Sequence, residues 1–220
     1  MMTSLTSKPL IQITKSQTVF NSNESDGRIK KEFYEKHCVR LPAFLENDLL
    51  REIQEQIGAA QFYNRLDKGI ALESCMKKNS VFNFLHFLLN DESLFQWIQK
   101  ITGCGAIGCF GGRLYRMIPG EGYYDSWHDD LDGKRLIGLS INLSTTVYSG
   151  GGFQIKDFRN GKTINKIYNT GFGDAFLFRL ADYLKHRVSD VEGLVPRVAF
   201  AGWFQSKPRV LSCLKKSIAR

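Results

Sequence analysis

Of the 220 residues only four are histidines, and two stand where they could hold a metal: Trp127-His128-Asp129-Asp130 and Leu184-Lys185-His186-Arg187-Val188. On a strand, side chains two apart project from one face, so His128 and Asp130 would meet one ion while Asp129 points away. A second imidazole from a neighbouring strand, with His186 the candidate, would complete two histidines and one carboxylate on one side of an octahedron. The remaining positions stay open for exchangeable ligands. Arg197, in VPRVAFAGWF, follows eleven residues beyond His186. From the next strand its guanidinium would enter the same cavity, and its planar fork suits a carboxylate. Metal at one end and arginine at the other would grip a keto acid that carries a distal carboxylate, which is the chemistry of 2-oxoglutarate.

Such a cavity needs strands. After Gly103 the helical period vanishes, and runs rich in β-branched and aromatic residues follow at roughly 107–118, 123–131, 135–144, 152–157, 163–168, 174–179, 184–189 and 196–205, separated by Gly, Asp and Asn. Eight short strands predict a mainly β fold, a double-stranded β-helix or jelly roll over about residues 105–206, buttressed by N-terminal helices. HCVRLPAF reads as a short strand stopped by Pro42. Leu49, Leu50, Ile53 and Ile57 recur at helical spacing, with Asn47 or Asp48 as cap and Gly58 as terminator. Residues 79–101 read as two apolar helices broken at Asn90-Asp91. Residues 1–27, ending in NSNESDG, read as a flexible arm or at most one edge strand, leaving 28–220 as a single domain. Residues 60–79 stay unassigned, with a lid as one option. Gly150-Gly151-Gly152 reads as a hairpin turn, because no helix follows to make a phosphate cradle.

The chain is 43% hydrophobic and 24% charged, with no apolar run approaching the roughly 20 residues of a membrane helix. Its N-terminus, MMTSLTSKPLIQITKSQ, lacks the pattern of a secretory leader, so no secretion and no membrane association are expected. The five cysteines, Cys38, Cys75, Cys104, Cys109 and Cys213, are scattered without a CxxC pair, which disfavours zinc or a disulfide framework and suits a reducing cytoplasm. A net charge of +8 favours an anionic partner. The basic residues are dispersed, apart from Lys207, Arg209, Lys215, Lys216 and Arg220, and are not interleaved with aromatics as a nucleic-acid platform would be. His37 and His86 read as structural or surface residues. Nothing here speaks to oligomeric state.

The stretch from about 105 to 206 resembles the Fe(II)/2-oxoglutarate oxygenases, specifically their prolyl 4-hydroxylase-like branch. The likeness rests on RLYRMIPGEGYYDSWHDD, RLIGLSINL, YSGGGFQIKD, GDAFLFRLADYLKHRV and VEGLVPRVAFAGWF, in family order. VRLPAFLENDLLREIQEQI looks like the approach segment of such enzymes. The resemblance implies Fe(II) on His128, Asp130 and His186, 2-oxoglutarate paired to Arg197, O2 as oxidant with ascorbate supportive, and no catalytic residue beyond the metal ligands. The implied reaction is hydroxylation of an aliphatic carbon of an amino acid, a peptidyl side chain or a specialised small metabolite, with release of succinate and CO2. The intact carboxylate at Asp130 disfavours halogenation. Two departures stand out. Tyr123 and Tyr124 precede His128 by five and four residues where the family places a tyrosine three before. Ala199 replaces the Ser or Thr common two residues after the arginine, so Tyr115, Ser140 and Asn142 become candidates for the second carboxylate anchor. Arg116, Tyr123, Tyr124, Asp125 and Trp127 flank the first ligand stretch and are candidates for the substrate side, and Trp203 for a wall of the co-substrate pocket. A protein- or nucleic-acid-modifying oxygenase of the same chemistry, or a jelly roll that binds metal or ligand without turnover, are the alternatives.

Overall fold

The fold is known from a computed structural model, which describes residues 9–21, 24–168 and 170–206. The basic cluster at 207–220 and Cys213 lie outside the described residues. In chain order come β1 (Ile11–Ile13), β2 (Thr18–Phe20), α1 (Glu24–Lys36), β3 (Cys38–Leu41), α2 (Asn47–Gly58), β4 (Phe62–Asp67), β5 (Ala71–Met76), α3 (Ser80–Leu89) and α4 (Glu92–Thr102). The second half is all strand: β6 (Cys109–Met117), β7 (Tyr124–Asp125), β8 (Arg135–Asn142), β9 (Ser149–Gly150), β10 (Phe153–Asp157), β11 (Lys162–Ile167), β12 (Ala175–Arg179), β13 (Leu184–Val188), β14 (Val191–Glu192) and β15 (Arg197–Gln205).

Two sheets face each other. The larger runs β3-β12-β8-β15-β6-β5-β4, with β7 added beside β5; the smaller is β11-β10-β13. Period-two alternation sets their faces. On β15, Val198, Phe200 and Phe204 turn to the helices, where they join the main apolar core with Leu49, Leu85, Leu94 and Ile98. Each of these side chains that is fully buried, Phe200 and Phe204 among them, contributes roughly 1.5–3 kcal/mol. The alternate residues of β15, Arg197, Ala199, Ala201 and Trp203, turn to the smaller sheet. Between the sheets Phe153, Ile155, Phe176, Phe178 and Leu184 fill one end, while Tyr115, Met117, Val188 and Ala199 fill the other. The space left in the middle is the cleft. Mainly β with four buttressing helices, this is the double-stranded β-helix expected.

Several local expectations need correction. Residues 11–20 form an antiparallel hairpin rather than an arm, with Ile11 and Ile13 fully buried. α1 then seats Ile29 and Phe33 in the core, two anchors one turn apart that are too few for a clear periodic signal. α2 is capped at Glu46, with no side-chain cap bond, and ends at Ala59; α3 and α4 do break at Asn90-Asp91, where the Asp91 carboxylate accepts from the Leu94 amide. The glycine triplet is no hairpin turn, since β9 pairs with β14 instead of β10. Residues 62–76 form an antiparallel hairpin, β4–β5, built into the larger sheet through β6. No described helix is long and apolar enough to cross a membrane.

Candidate active site

The sequence reading placed His128 and Asp130 on one strand. The structure brings them together differently. Only residues 124–125 of that run form a strand, His128 makes an isolated bridge to His186, and Asp130 adopts a left-handed backbone with φ +61°. Mutual amide bonds of 3.1 and 2.8 Å lock His128 to His186. The left-handed residue then turns the 130 carboxylate back over both rings, a conformation that costs an L-residue free energy and that its surroundings must hold.

Those surroundings are specific. Asp130 Oδ2 lies 3.1 Å from His186 Nε2 and 3.5 Å from His128 Nε2, and it accepts from Trp203 Nε1 at 2.8 Å. Arg135 Nη1 donates to the Asp130 carbonyl at 3.1 Å and to its Oδ1 at 3.3 Å, with its guanidinium 3.6 Å over the Trp203 ring. One ligand atom from each of His128, Asp130 and His186 lies within 4.8 Å of the others. His128 Nδ1 sits 2.7 Å from the Ser126 carbonyl, so it carries the proton and leaves Nε2 to face inward. Asp125 Oδ1 is 3.3 Å from the same Nδ1, and its other oxygen accepts from the Val188 amide at 2.7 Å.

The electrostatics of this trio suit a cation. Burial would depress His128, but the Asp130 hydrogen bond and the charges of Asp125 and Asp130 outweigh it and push its pKa up to about 9. Burial would likewise raise Asp130, yet both imidazoles hold it well below the usual carboxylate range. His186, wholly buried, falls below its ordinary value because desolvation exceeds the pull of Asp130. The cluster therefore keeps an ionised carboxylate and favours a positive charge at its centre; a metal ion there would take the place of the His128 proton, because both imidazoles ligate in the neutral form.

Arg197, 4% exposed, lies against two residues that line the cleft, Tyr115 and Ser140. Its Nη1 donates to the Tyr115 hydroxyl at 2.9 Å and its Nη2 to Ser140 Oγ at 3.4 Å. Burial opposes its charge, but the Tyr115 and Tyr148 hydroxyls beside it hold it above the ordinary arginine value. Gly151 makes room, since a Cβ there would come within 2.9 Å of Arg197 Cδ. Among the described residues no carboxylate pairs with this guanidinium. A buried cation with only neutral acceptors is costly and fits an incoming carboxylate.

A cleft of about 680 Å3, open solvent included, reaches from the metal trio to the Tyr115 and Ser140 hydroxyls that contact Arg197, and is lined by Asp125, His128, Asp130, His186 and Trp203 among others. Other expected residues lie off it. Asn142 is committed to a turn, its amide donating to the Thr170 and Gly171 carbonyls. Arg116 faces the opposite side of β6 from Arg113 and Tyr115, its guanidinium 4.0 Å over Phe62. Tyr123 bonds outward to Asn64, Tyr124 pairs with Leu72 on the sheet edge, and Trp127 lies under Lys156 and Arg187. None of these four lines the cleft. Instead the mouth is built by residues the sequence left unread: Arg65, Glu73, Arg113 and Arg135. Arg113 grips Glu73 through both fork nitrogens, at 2.6 and 2.7 Å. The signal was the Asp67-Lys68-Gly69 turn between two six-residue strands, an ordinary hairpin cue.

Residues 112–205 match the sequence model of the 2OG-Fe(II) oxygenase superfamily. This chain carries a 2OG-Fe(II) oxygenase domain. By class such a domain is a 2-oxoglutarate-dependent dioxygenase. Solved structures with the same fold include a prolyl-4-hydroxylase from Pseudomonas putida, at TM-score 0.63 and 15% identity over 83% of this chain and 100% of that one. A 2OG-Fe(II) oxygenase family oxidoreductase from Burkholderia pseudomallei gives 0.61 and 17% over 89% and 95%. A prolyl hydroxylase from Trichoplax adhaerens, in complex with a hypoxia inducible factor oxygen degradation domain peptide fragment, gives 0.59 and 17% over 86% and 93%. At these identities the likeness speaks for the fold. No curated protein matches the oxygenase by sequence.

Proposed function

We propose that His128, Asp130 and His186 hold Fe(II), that Arg197 with Tyr115 and Ser140 receives the distal carboxylate of 2-oxoglutarate, and that the enzyme hydroxylates an aliphatic carbon of an amino acid, a peptidyl side chain or a specialised small metabolite. The observation that carries this reading is the pairing of three convergent metal-binding atoms with a buried guanidinium that reaches the same cleft through Tyr115 and Ser140 and lacks an acidic partner among the described residues. When bound, the metal and co-substrate supply the oxidation: O2 decarboxylates 2-oxoglutarate to succinate and CO2, and the second oxygen atom goes to the substrate carbon. We further propose that the chain acts as a single oxygenase domain of which the 11–20 hairpin and α1 are part, and that it works in the cytoplasm, where Fe(II) and the buried thiols of Cys38 and Cys75 stay reduced.

The chain's own part is orientation and exclusion of water. Ser126 and Asp125 fix the His128 tautomer. Trp203 and Arg135 hold the Asp130 carboxylate against its strained backbone. Phe153 and Phe178 flank the His186 ring at centroid distances of 5.8 and 4.7 Å, keeping that side of the site dry. Because Tyr115 accepts from Arg197, its own O–H proton is free to point at a carboxylate, and Ser140 can do the same. These hydroxyls take the role left vacant at Ala199.

Protein purified without oxygen, then given Fe(II), ascorbate, 2-oxoglutarate and air, should form succinate. Asp130→Ala should abolish both that turnover and Fe(II) binding by calorimetry. Undiminished succinate from Asp130→Ala would remove the ligand assignment. Screening amino acids and peptides by mass spectrometry for the gain of one oxygen then identifies the substrate.

A further inference from the structure

A groove of about 770 Å3 runs beside the cleft and shares Arg65, Arg113, Arg135 and Trp203 with it. Beyond that shared wall it reaches Lys78, in the loop before α3, and Phe82 in α3. Four cations line it and no carboxylate does. The acids that pair with its arginines, Glu73, Asp67 and Asp130, lie on the cleft side of the shared wall, and Asp132 lines neither space. Lys78 has no ion pair among the described residues and reaches only the Phe82 ring, at 5.9 Å. Between the cations the wall includes Gly111 and Gly112, which present bare main chain.

Resting on the reaction proposed above, we infer that this groove binds an acidic, extended stretch of a peptide substrate and so delivers a neighbouring residue to the metal. Charge complementarity selects the chemistry. The cations stand on four separate elements, β4, the loop before α3, β6 and β8, too widely distributed for one carboxylate and matched to several along a chain. The aromatic faces argue against nucleic acid. Stacking of a strand uses successive free rings, but of the three aromatic rings in the groove Trp203 already lies under the Arg135 guanidinium at 3.6 Å and Phe82 is packed 4.4 Å from the His86 ring, which leaves Tyr63 alone as an exposed face. The Lys78 ammonium and the arginine nitrogens not already engaged with Glu73, Asp67, Asp130 and Asp132, among them Arg113 Nη1 and Arg135 Nη2, are instead suited to carboxylates.

The test uses the full chain and fluorescein-labelled hexaglutamate, read by anisotropy. Hexaglutamate should bind and hexaglutamine should not, and binding should weaken sharply in about 0.5 M salt. Lys78→Glu should weaken it by about tenfold and Lys78→Met by less, while Lys162→Glu, an exposed charge reversal on the far β11, should leave it unchanged. Equal binding by Lys78→Glu and wild type, equal loss in Lys162→Glu, or tight capture of hexaglutamine would overturn the proposal. A labelled oligothymidylate that outcompetes hexaglutamate through Lys78 would also overturn it, reassigning the groove to nucleic acid. Wild-type succinate formation separates the two ideas. Hexaglutamate bound without any succinate sinks the oxygenase reading alone, and succinate without hexaglutamate binding sinks the groove alone.

Discussion

Around Asp130 a single carboxylate meets Trp203, Arg135 and two imidazoles, whereas around Arg197 a single guanidinium meets only uncharged hydroxyls. Asp130 is half-buried and Arg197 buried, yet the first is internally compensated and the second is not. Buried charge is retained cheaply where partners surround it; where they are missing, an external ion must supply them for the site to reach its lowest free energy. The two ends of the cleft thus differ in what they demand of a ligand, and substitutions at each end should separate the iron and 2-oxoglutarate terms.

Arg197→Met carries the largest expected effect on this contrast. Loss of a buried charge-assisted partner costs about 2–5 kcal/mol, so the apparent KM for 2-oxoglutarate should rise by roughly thirtyfold or more. Fe(II) affinity should hold, because no Arg197 atom contacts the trio. With its uncompensated charge gone, the variant free of co-substrate should melt no lower than wild type, and added 2-oxoglutarate should no longer raise its Tm. An unchanged KM would detach Arg197 from the co-substrate.

Trp203→Phe probes the compensated end. The ring volume is largely kept while the donor to Asp130 Oδ2 disappears. Removing such a partner of a metal ligand typically costs about 10–100-fold in metal affinity, so Fe(II) titrations should shift by that factor while the 2-oxoglutarate KM at saturating iron stays near wild type. A shift in the co-substrate constant with iron binding unmoved would place Trp203 against 2-oxoglutarate instead.

How far these ends could be seen in advance differs for a physical reason. Seven of the eight strand runs after Gly103 fold close to where their alternation puts them, and the candidate ligands and Arg197 were named from type and spacing. Local pattern carries such information. The geometry at Asp130 was not legible, because a left-handed non-glycine residue is imposed by Trp203 and Arg135 across the sheet and not by its own neighbours. Choosing Arg116 where Arg113 and Tyr115 face inward is a one-residue matter of face, which flips every side chain of a strand. The mouth formed by Glu73 and Arg113 depends on β5 pairing β6 with Cys75 opposite Tyr115, a register between segments 40 residues apart that no local period encodes. Asn142 shares a strand face with Ser140, but the turn at Thr170 and Gly171 claims its amide first.

Tyr115→Phe should have the smallest effect and divides the two ends most finely. The phenol accepts from Arg197 and, buried, is kept protonated, since desolvation raises its pKa more than the Arg197 charge lowers it. A neutral hydroxyl in that position can donate to one oxygen of the distal carboxylate while Arg197 donates to the other. Its removal costs one hydrogen bond, about 0.5–1.5 kcal/mol, so KM for 2-oxoglutarate should rise by roughly threefold to tenfold with Fe(II) affinity unchanged. If Tyr115 only braced Arg197, combining it with Arg197→Met would add nothing to the single arginine change. If it meets the carboxylate itself, the double variant should bind 2-oxoglutarate more weakly than Arg197→Met alone, and this double-mutant cycle decides between bracing and direct contact.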